Sequence, residues 1–312
     1  MISRASMLAG EYRIGFNGVM LEAQGRPQSA VKVYLEMIKV EHSVFALPFA
    51  MVGMIYAANG FPGWRTFGLI VLAMVSARSA AMAWNRIADR DIDAKNPRTK
   101  IRAIPAGLIS LSKATAFFLI SCALFFVASW LLNPLTLALS PIALFVLLGY
   151  SHTKRFTCLC HYWLGLSLGI APAAAWVAVT GKFDWTPALW ILGVACWTAG
   201  FDILYALQDD EFDRENRLHS IPARFGRSAG IWISRASHFV AVCALVGAGV
   251  LVGAGFAYFA GCAFAMAMLT YEQSLVKEND LSRLNMAFFT LNGYISVGFF
   301  LFALADVILR RA

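Results

Sequence analysis

Nine stretches of apolar residues, each close to the length that crosses a bilayer, leave this chain few folds to choose from. A hydrocarbon core takes about 20 residues of helix. The stretches run over 42–60, 66–84, 113–132, 135–151, 161–180, 186–206, 235–255, 256–272 and 286–308. Of 312 residues, 59% are hydrophobic and 14% charged, where a soluble domain carries about a quarter. The expected fold class is an all-α integral membrane protein with about nine transmembrane helices in one bundle. Residues 1–40 read as a cytoplasmic or interfacial N-terminal segment, amphipathic near Val31 to Met37 and without the apolar run of a secretory signal. Residues 41–312 form the polytopic domain.

The net charge of +8 raises nucleic acid as a partner, and the position of the charges excludes it. With the N-terminus inside, 21 of the 26 Lys and Arg residues fall in the N-terminal tail and the loops of one side. That asymmetry predicts a multi-pass protein of the cell inner membrane, with the N-terminus and the acidic loops cytoplasmic and the lipid bilayer as partner. Oligomeric state leaves no trace in the sequence.

Four of the six cysteines (Cys122, Cys196, Cys243 and Cys262) lie inside apolar runs and read as inert thiols. Cys158, Cys160 and His161 form a C-x-C-H cluster at a helix junction, which lacks the fourth ligand and usual spacing of a zinc site. They read as loop residues.

The chemistry concentrates in two acidic clusters. Asn85, Asp89 and Asp93 recur every four residues at the end of the second stretch, so on a continuous helix they stack along one face. Carboxylates in that arrangement repel, and near hydrocarbon they are costly. A cation is expected there, and Arg86 and Arg90 lie on the other side of the helix. A row of carboxylate and amide oxygens suits Mg2+, whose shell phosphate oxygens commonly complete. In the second cluster Tyr205, Asp209 and Asp213 repeat the spacing at the end of the sixth stretch. Asp202 lies deeper on nearly the same face, a carboxylate without a neighbouring base in sequence. Asp210, Glu211 and Glu215 read as solvated loop charges. The clusters are separated by four helices, so both face the cytoplasm.

Arg98, Arg102 and Lys154 follow as candidate phosphate ligands, with Arg suited to bidentate contact and Lys acting as a point charge. Arg78 sits two turns before Asn85 and is open to pairing, substrate contact or snorkelling.

These residues resemble the UbiA superfamily of intramembrane aromatic prenyltransferases. Asn85, Asp89 and Asp93 match its N-x-x-x-D-x-x-x-D motif, and Tyr205, Asp209 and Asp213 its second acidic motif. Arg98, Thr99, Arg102, Ile104, Pro105 and Gly107 follow the pattern between them, and Tyr150 to Lys154 its tyrosine-to-lysine segment. The resemblance implies helices around a central cavity under a cytoplasmic cap of motif loops. It implies Mg2+ held by Asn85, Asp89, Asp93, Asp209 and Asp213, which binds a polyprenyl diphosphate. It also implies an aromatic carboxylic acid acceptor as the second substrate. Asp89, Asp93, Asp209, Asp213 and Asp202 are then the catalytic candidates; Asn85, Arg98, Arg102, Lys154, Tyr150 and Tyr205 are the substrate-binding ones. Tyr150, Tyr205 and Phe201 are candidate walls for an allylic cation. The resemblance covers roughly 35–305 and points to 4-hydroxybenzoate in ubiquinone synthesis. The Glu41-His42 variation leaves a dihydroxynaphthoate of menaquinone synthesis as the alternative.

An ion-coupled transporter would place its carboxylates near helix midplanes, whereas these cluster at one face. A CDP-alcohol phosphotransferase would carry D-G-x-x-A-R ahead of its acidic motif, and none is present.

Overall fold

The computed structural model describes residues 30–39 and 43–311. Residues 1–29, most of the expected N-terminal segment, and the Glu41-His42 pair lie outside the described residues. What remains of the segment is helix α1 (Ala30–Ile38), which tucks Val33 and Met37 against Ala83, Ile87, Ile109 and Ala114 and leaves Val31 and Leu35 exposed.

The described residues form helices and no strand. After α1 come α2 (Ser43–Ala57), α3 (Trp64–Ala88), the short α4 (Arg90–Lys95), α5 (Leu111–Leu132), α6 (Pro134–Thr153), α7 (Cys160–Thr180) and α8 (Ala188–Ala206). Two short helices, α9 (Asp210–Glu215) and α10 (Ile221–Phe225), precede α11 (Arg227–Leu251), α12 (Phe256–Leu275) and α13 (Asn292–Leu309). Each of the nine expected stretches coincides with a long helix. Seven of them are long and apolar enough to cross a membrane: α3, α5, α6, α7, α8 extended to Glu215, α11, and α13 with the turn before it. Of the other two, α2 has 15 residues, and α12 carries the polar Glu272 and Gln273 in its last turn.

Small residues let the central helices touch. A Cβ on Gly169 of α7 would lie 2.6 Å from the Ile191 carbonyl oxygen of α8, and Gly165 meets the Ala195 carbonyl the same way. Gly53 of α2 packs on the Pro172 carbonyl of α7. Such close approach is how helices associate where lipid competes for apolar contact. Rings fill the space between, with Phe49, Trp190, Trp197, Tyr258 and Phe299 fully buried. The outer faces stay apolar: Leu119, Ile120 and Trp130 of α5 and Ile142 and Phe145 of α6 are exposed, as a lipid-facing surface requires.

Helix ends are set by side chains. Asn133 accepts from Thr136 N at 2.8 Å to cap α6, with Pro134 in the first turn. Its amide also donates to the Val177 and Ala178 carbonyls at the end of α7, which Gly181 closes in the left-handed conformation (φ 64°). At this same end Asp306, 1% exposed, accepts from Tyr56 Oη at 2.9 Å and Gly255 N at 3.0 Å, fixing the start of α12 to α2 and α13.

Candidate active site

Neither acidic cluster lies on one continuous helix, contrary to the sequence expectation. α3 ends at Ala88, Asp89 takes φ −96° and ψ 4°, and α4 starts at Arg90. In the second cluster α8 gives way to a 3₁₀ turn, Leu207–Asp209, and Asp209 takes φ −109° and ψ 6° before α9. The two aspartates share one sparsely populated backbone conformation. Like charges four residues apart disfavour an unbroken helix, and Asp93 and Asp213, the aspartates that follow each break, are both buried.

The break also gives every motif aspartate a basic partner. Arg98 grips Asp209 with Nε–Oδ1 at 3.1 Å and Nη2–Oδ2 at 2.5 Å. Arg102 Nη1 meets Asp93 Oδ1 at 2.7 Å and Oδ2 at 2.8 Å. Lys154 Nζ lies 2.7 Å from Asp213 Oδ1, and Arg155 Nη2 3.2 Å from Asp89 Oδ1. The pairs cross, since Arg98 follows the first motif and holds the second, while Lys154 and Arg155 at the end of α6 take one motif each. Asn85 turns its amide to Asp89 Oδ2 at 2.8 Å. Burial, then Asp93, hold the Asp89 carboxyl above its ordinary range against the Arg155 bond. Burial works against the Arg98 charge, and the Asp209 carboxylate outweighs it, so that guanidinium lies above its usual value.

Three expectations are corrected. Arg86 is no bystander on a far face: it is buried, donating to Asn85 Oδ1 at 3.1 Å and to the Met37 carbonyl at 3.3 Å. Asp210 is no solvated loop charge; it is 2% exposed and gripped by Arg227 at 2.8 and 3.1 Å and Arg214 at 3.1 Å. Asp202 does have a base beside it, with His161 Nδ1 at 2.7 Å from its Oδ2. Cys160 and His161, expected in a loop, open α7 and are buried. The sequence does not pair His161 with Asp202 because the two stand 41 residues apart on different helices.

The aromatic wall gathers around Tyr205. Phe288 stacks on it at 4.1 Å between centroids, Phe201 meets Phe288 edge-on at 5.2 Å, and Arg98 Cζ lies 5.6 Å over the Tyr205 ring. Phe288 belongs to a π-helical turn, Met286–Leu291, ahead of α13. Asn292 secures this turn, donating to the Ala287 and Phe288 carbonyls at 3.0 and 3.2 Å and accepting from Trp197 Nε1 at 2.7 Å. The sequence carried no sign of it beyond a surplus of rings. Tyr150, half-buried on α6, is within electrostatic reach of Asp89, Asp202 and Arg102.

Among the described residues no three His, Cys, Asp or Glu side chains converge as a ready-made metal cage. The donor set still suits a hard cation. Both carboxylate oxygens of Asp213 are buried and accept no hydrogen bond, the Lys154 ion pair lying outside hydrogen-bond geometry. Mg2+ commonly takes one or two carboxylates and leaves the rest of its shell to water and phosphate, so paired carboxylates at each motif match its needs.

Known proteins resemble this chain in sequence and fold. Residues 46–296 match the model of the UbiA prenyltransferase family. A 4-hydroxybenzoate octaprenyltransferase of Vibrio campbellii is 29% identical over 271 residues, covering 85% of this chain and 94% of its own. One of Alkalilimnicola ehrlichii is 31% identical over 254 residues, with coverages of 80% and 86%. Among solved structures, an apo UbiA homolog from Aeropyrum pernix K1 superposes with a TM-score of 0.78 at 33% identity, covering 88% of this chain and 99% of that one. A UbiA homolog from Archaeoglobus fulgidus bound to GPP and Mg2+ shares the fold at TM-score 0.68 and 19% identity, with the same coverages. The chain belongs to the UbiA prenyltransferase family.

Proposed function

We propose that this enzyme transfers a polyprenyl group from polyprenyl diphosphate to an aromatic carboxylic acid acceptor of the 4-hydroxybenzoate type, in ubiquinone biosynthesis. The observation that carries the reading is the set of crossed ion pairs: four carboxylates and four basic side chains converge where an anionic substrate would have to be held. The names of the relatives support the acceptor.

Arg98, Arg102, Lys154 and Arg155 exchange their carboxylate partners for the oxygens of the diphosphate. Asp89 and Asp93 on one motif, and Asp209 and Asp213 on the other, are thereby freed as metal ligands, with Asn85 beside them. Magnesium, when bound there, supplies positive charge that stabilises the departing diphosphate. The bond between the prenyl C1 and the diphosphate oxygen breaks and its electron pair leaves with the diphosphate. Tyr205, with Phe288 and Phe201 behind it, presents electron-rich faces to the allylic cation, and cation–π contact contributes up to about 2 kcal/mol in a desolvated site. Tyr150, within electrostatic reach of Asp89 and Asp202, is the remaining candidate wall. A ring carbon beside the acceptor hydroxyl bonds to C1, and the proton it loses passes to Asp202. The concentration of Lys and Arg on the motif side supports a multi-pass protein of the inner membrane with this site facing the cytoplasm.

The test is purified protein in lipid nanodiscs with magnesium, labelled prenyl diphosphate and either 4-hydroxybenzoate or a dihydroxynaphthoate, the product being identified by mass. A prenylated 4-hydroxybenzoate is expected. A prenylated dihydroxynaphthoate alone would move the acceptor, and near-parental turnover by Asp89→Asn or Asp209→Asn would remove the two-motif site.

A further inference from the structure

The C-x-C-H cluster at the start of α7 has no part in the chemistry above, yet its three side chains all touch the second motif's loop or its acid. Cys160 Sγ lies 3.4 Å from the His219 carbonyl and Arg224 Nη1 3.6 Å from Cys158 Sγ. His219 N in turn donates to the Lys154 carbonyl at 2.7 Å. Residues 219–224 are thus docked onto the end of α6 and the start of α7. His161 goes further, because its two ring nitrogens face different elements. The backbone N–H of Ile221 donates to Nε2 at 3.2 Å, so that nitrogen carries no hydrogen. The ring hydrogen therefore sits on Nδ1, and is donated to Asp202 Oδ2 at 2.7 Å. The imidazole side chain is 3% exposed and the carboxylate 18%, so the acid is the more accessible of the pair, and it lies within electrostatic reach of Tyr150, as Asp89 does.

We propose that His161 is a positioning residue: it couples docking of the 219–224 loop to the orientation of Asp202, holding Oδ2 so that Oδ1 is left to accept the acceptor's proton. The inference rests on the prenyl-transfer reading. One proton moves, from the acceptor to Asp202 Oδ1. His161 keeps its Nδ1 hydrogen throughout, since Nε2 is already engaged by the loop. A loop that undocks removes the N–H from Nε2, releases the tautomer and lets the carboxylate turn.

Two measurements test this. In the parent protein in nanodiscs, 15N-labelled histidine, assigned with His161→Leu or by selective labelling, should show a neutral ring with the hydrogen on Nδ1. A hydrogen on Nε2 overturns the proposal, and this spectrum needs no variant to be active. In turnover assays His161→Leu should lower kcat about 100-fold while the KM for prenyl diphosphate stays within about two-fold. His161→Asn, whose amide replaces the Nδ1 donor, should recover at least about a third of the lost rate on a logarithmic scale. Parental kcat in His161→Leu, or no recovery in His161→Asn, refutes the positioning role. A parent that makes no prenylated product at all counts against the proposed function, and the spectrum still decides the tautomer.

Discussion

Arg98 and Asp209 stand 111 residues apart in sequence and form a two-point ion pair across the candidate site. The arginine comes from the segment after the first acidic motif and the acid from the second. A fork of this kind fixes distance and angle together, so the two motifs are registered to each other before any substrate arrives. The same fork suits two oxygens of a phosphate, and diphosphate binding is then an exchange of one oxygen pair for another.

Arg98→Lys should reveal that geometry. Lysine keeps the charge and loses the fork, and a hydrogen bond to a charged group is worth about 1.5–3 kcal/mol. A fall of about 10- to 100-fold in kcat/KM for prenyl diphosphate is expected from initial rates. Unchanged kcat/KM would mean that Arg98 serves the fold and not the substrate.

Asp213 and Asp210 lie three residues apart, are both buried, and should behave differently. Asp213 accepts no hydrogen bond, whereas Asp210 is held by Arg227 and Arg214. Asp213→Asn should cost more than about 100-fold in turnover and weaken the magnesium dependence. Asp210→Asn should lower Tm, because it leaves two arginines short of a partner, with kcat per folded molecule close to the parent. Equal effects of the two on kcat would erase the distinction.

Asp89 makes a prediction about stability. Burial raises its carboxyl above the ordinary value, with Arg155 opposing. A folded state that binds a proton more tightly than the unfolded chain gains stability at low pH and loses it as pH rises through the raised value. Asp89→Asn mimics the protonated form, so its Tm advantage over the metal-free parent should widen from about pH 4 to pH 7. An advantage that shrinks over that range would contradict the assignment. Turnover should be lost at every pH.

Phe288→Leu keeps apolar volume and removes the ring stacked on Tyr205. A decrease of about 10-fold in kcat is expected, within the reach of one cation–π contribution, with more prenyl alcohol formed by water capture. An unchanged ratio of prenylated product to alcohol would assign Phe288 to packing.

Asp306→Ala tests the far end of the bundle. It leaves the Tyr56 hydroxyl and the Gly255 amide without their buried acceptor, each costing about 1–3 kcal/mol. Tm should fall by several degrees while kcat per folded molecule is retained. A specific loss of kcat without a Tm change would tie this end to the chemistry.

Much of this was legible in the sequence because its signals are local. Stretches long enough to span, the four-residue spacing of the aspartates and the neighbouring basic residues all lie within a few turns of one another. What was missed depends on distant contacts or on backbone geometry. Arg155 with Asp89, Cys160 with the His219 carbonyl and His161 with Asp202 are separated by 66, 59 and 41 residues. A periodicity of four is shared by a continuous helix and by one that breaks at the middle aspartate, so it did not reveal the turns at Asp89 and Asp209. Asp210 looked solvated because its neighbours Glu211 and Glu215 are exposed. The π-helical turn at Met286–Leu291 depends on Trp197 of another helix through Asn292.

The crossed pairs also bear on the order in which the chain is made. Arg98 and Lys154 belong to the first half, yet they neutralise Asp209 and Asp213 of the second. The second half's own nearby arginines, Arg214 and Arg227, are engaged with Asp210. Asp213 has no solvent exposure, and an unmatched acid there is costly to bury. Synthesis from the N-terminus delivers the cations first and the acids later, so each acid meets a waiting counterion as it enters the bundle. Until then Arg98 and Lys154 can wait in contact with water, their side chains being 34% and 37% exposed even in the folded protein. The second half made alone would instead strand two acids, with side chains only 11% and 0% exposed.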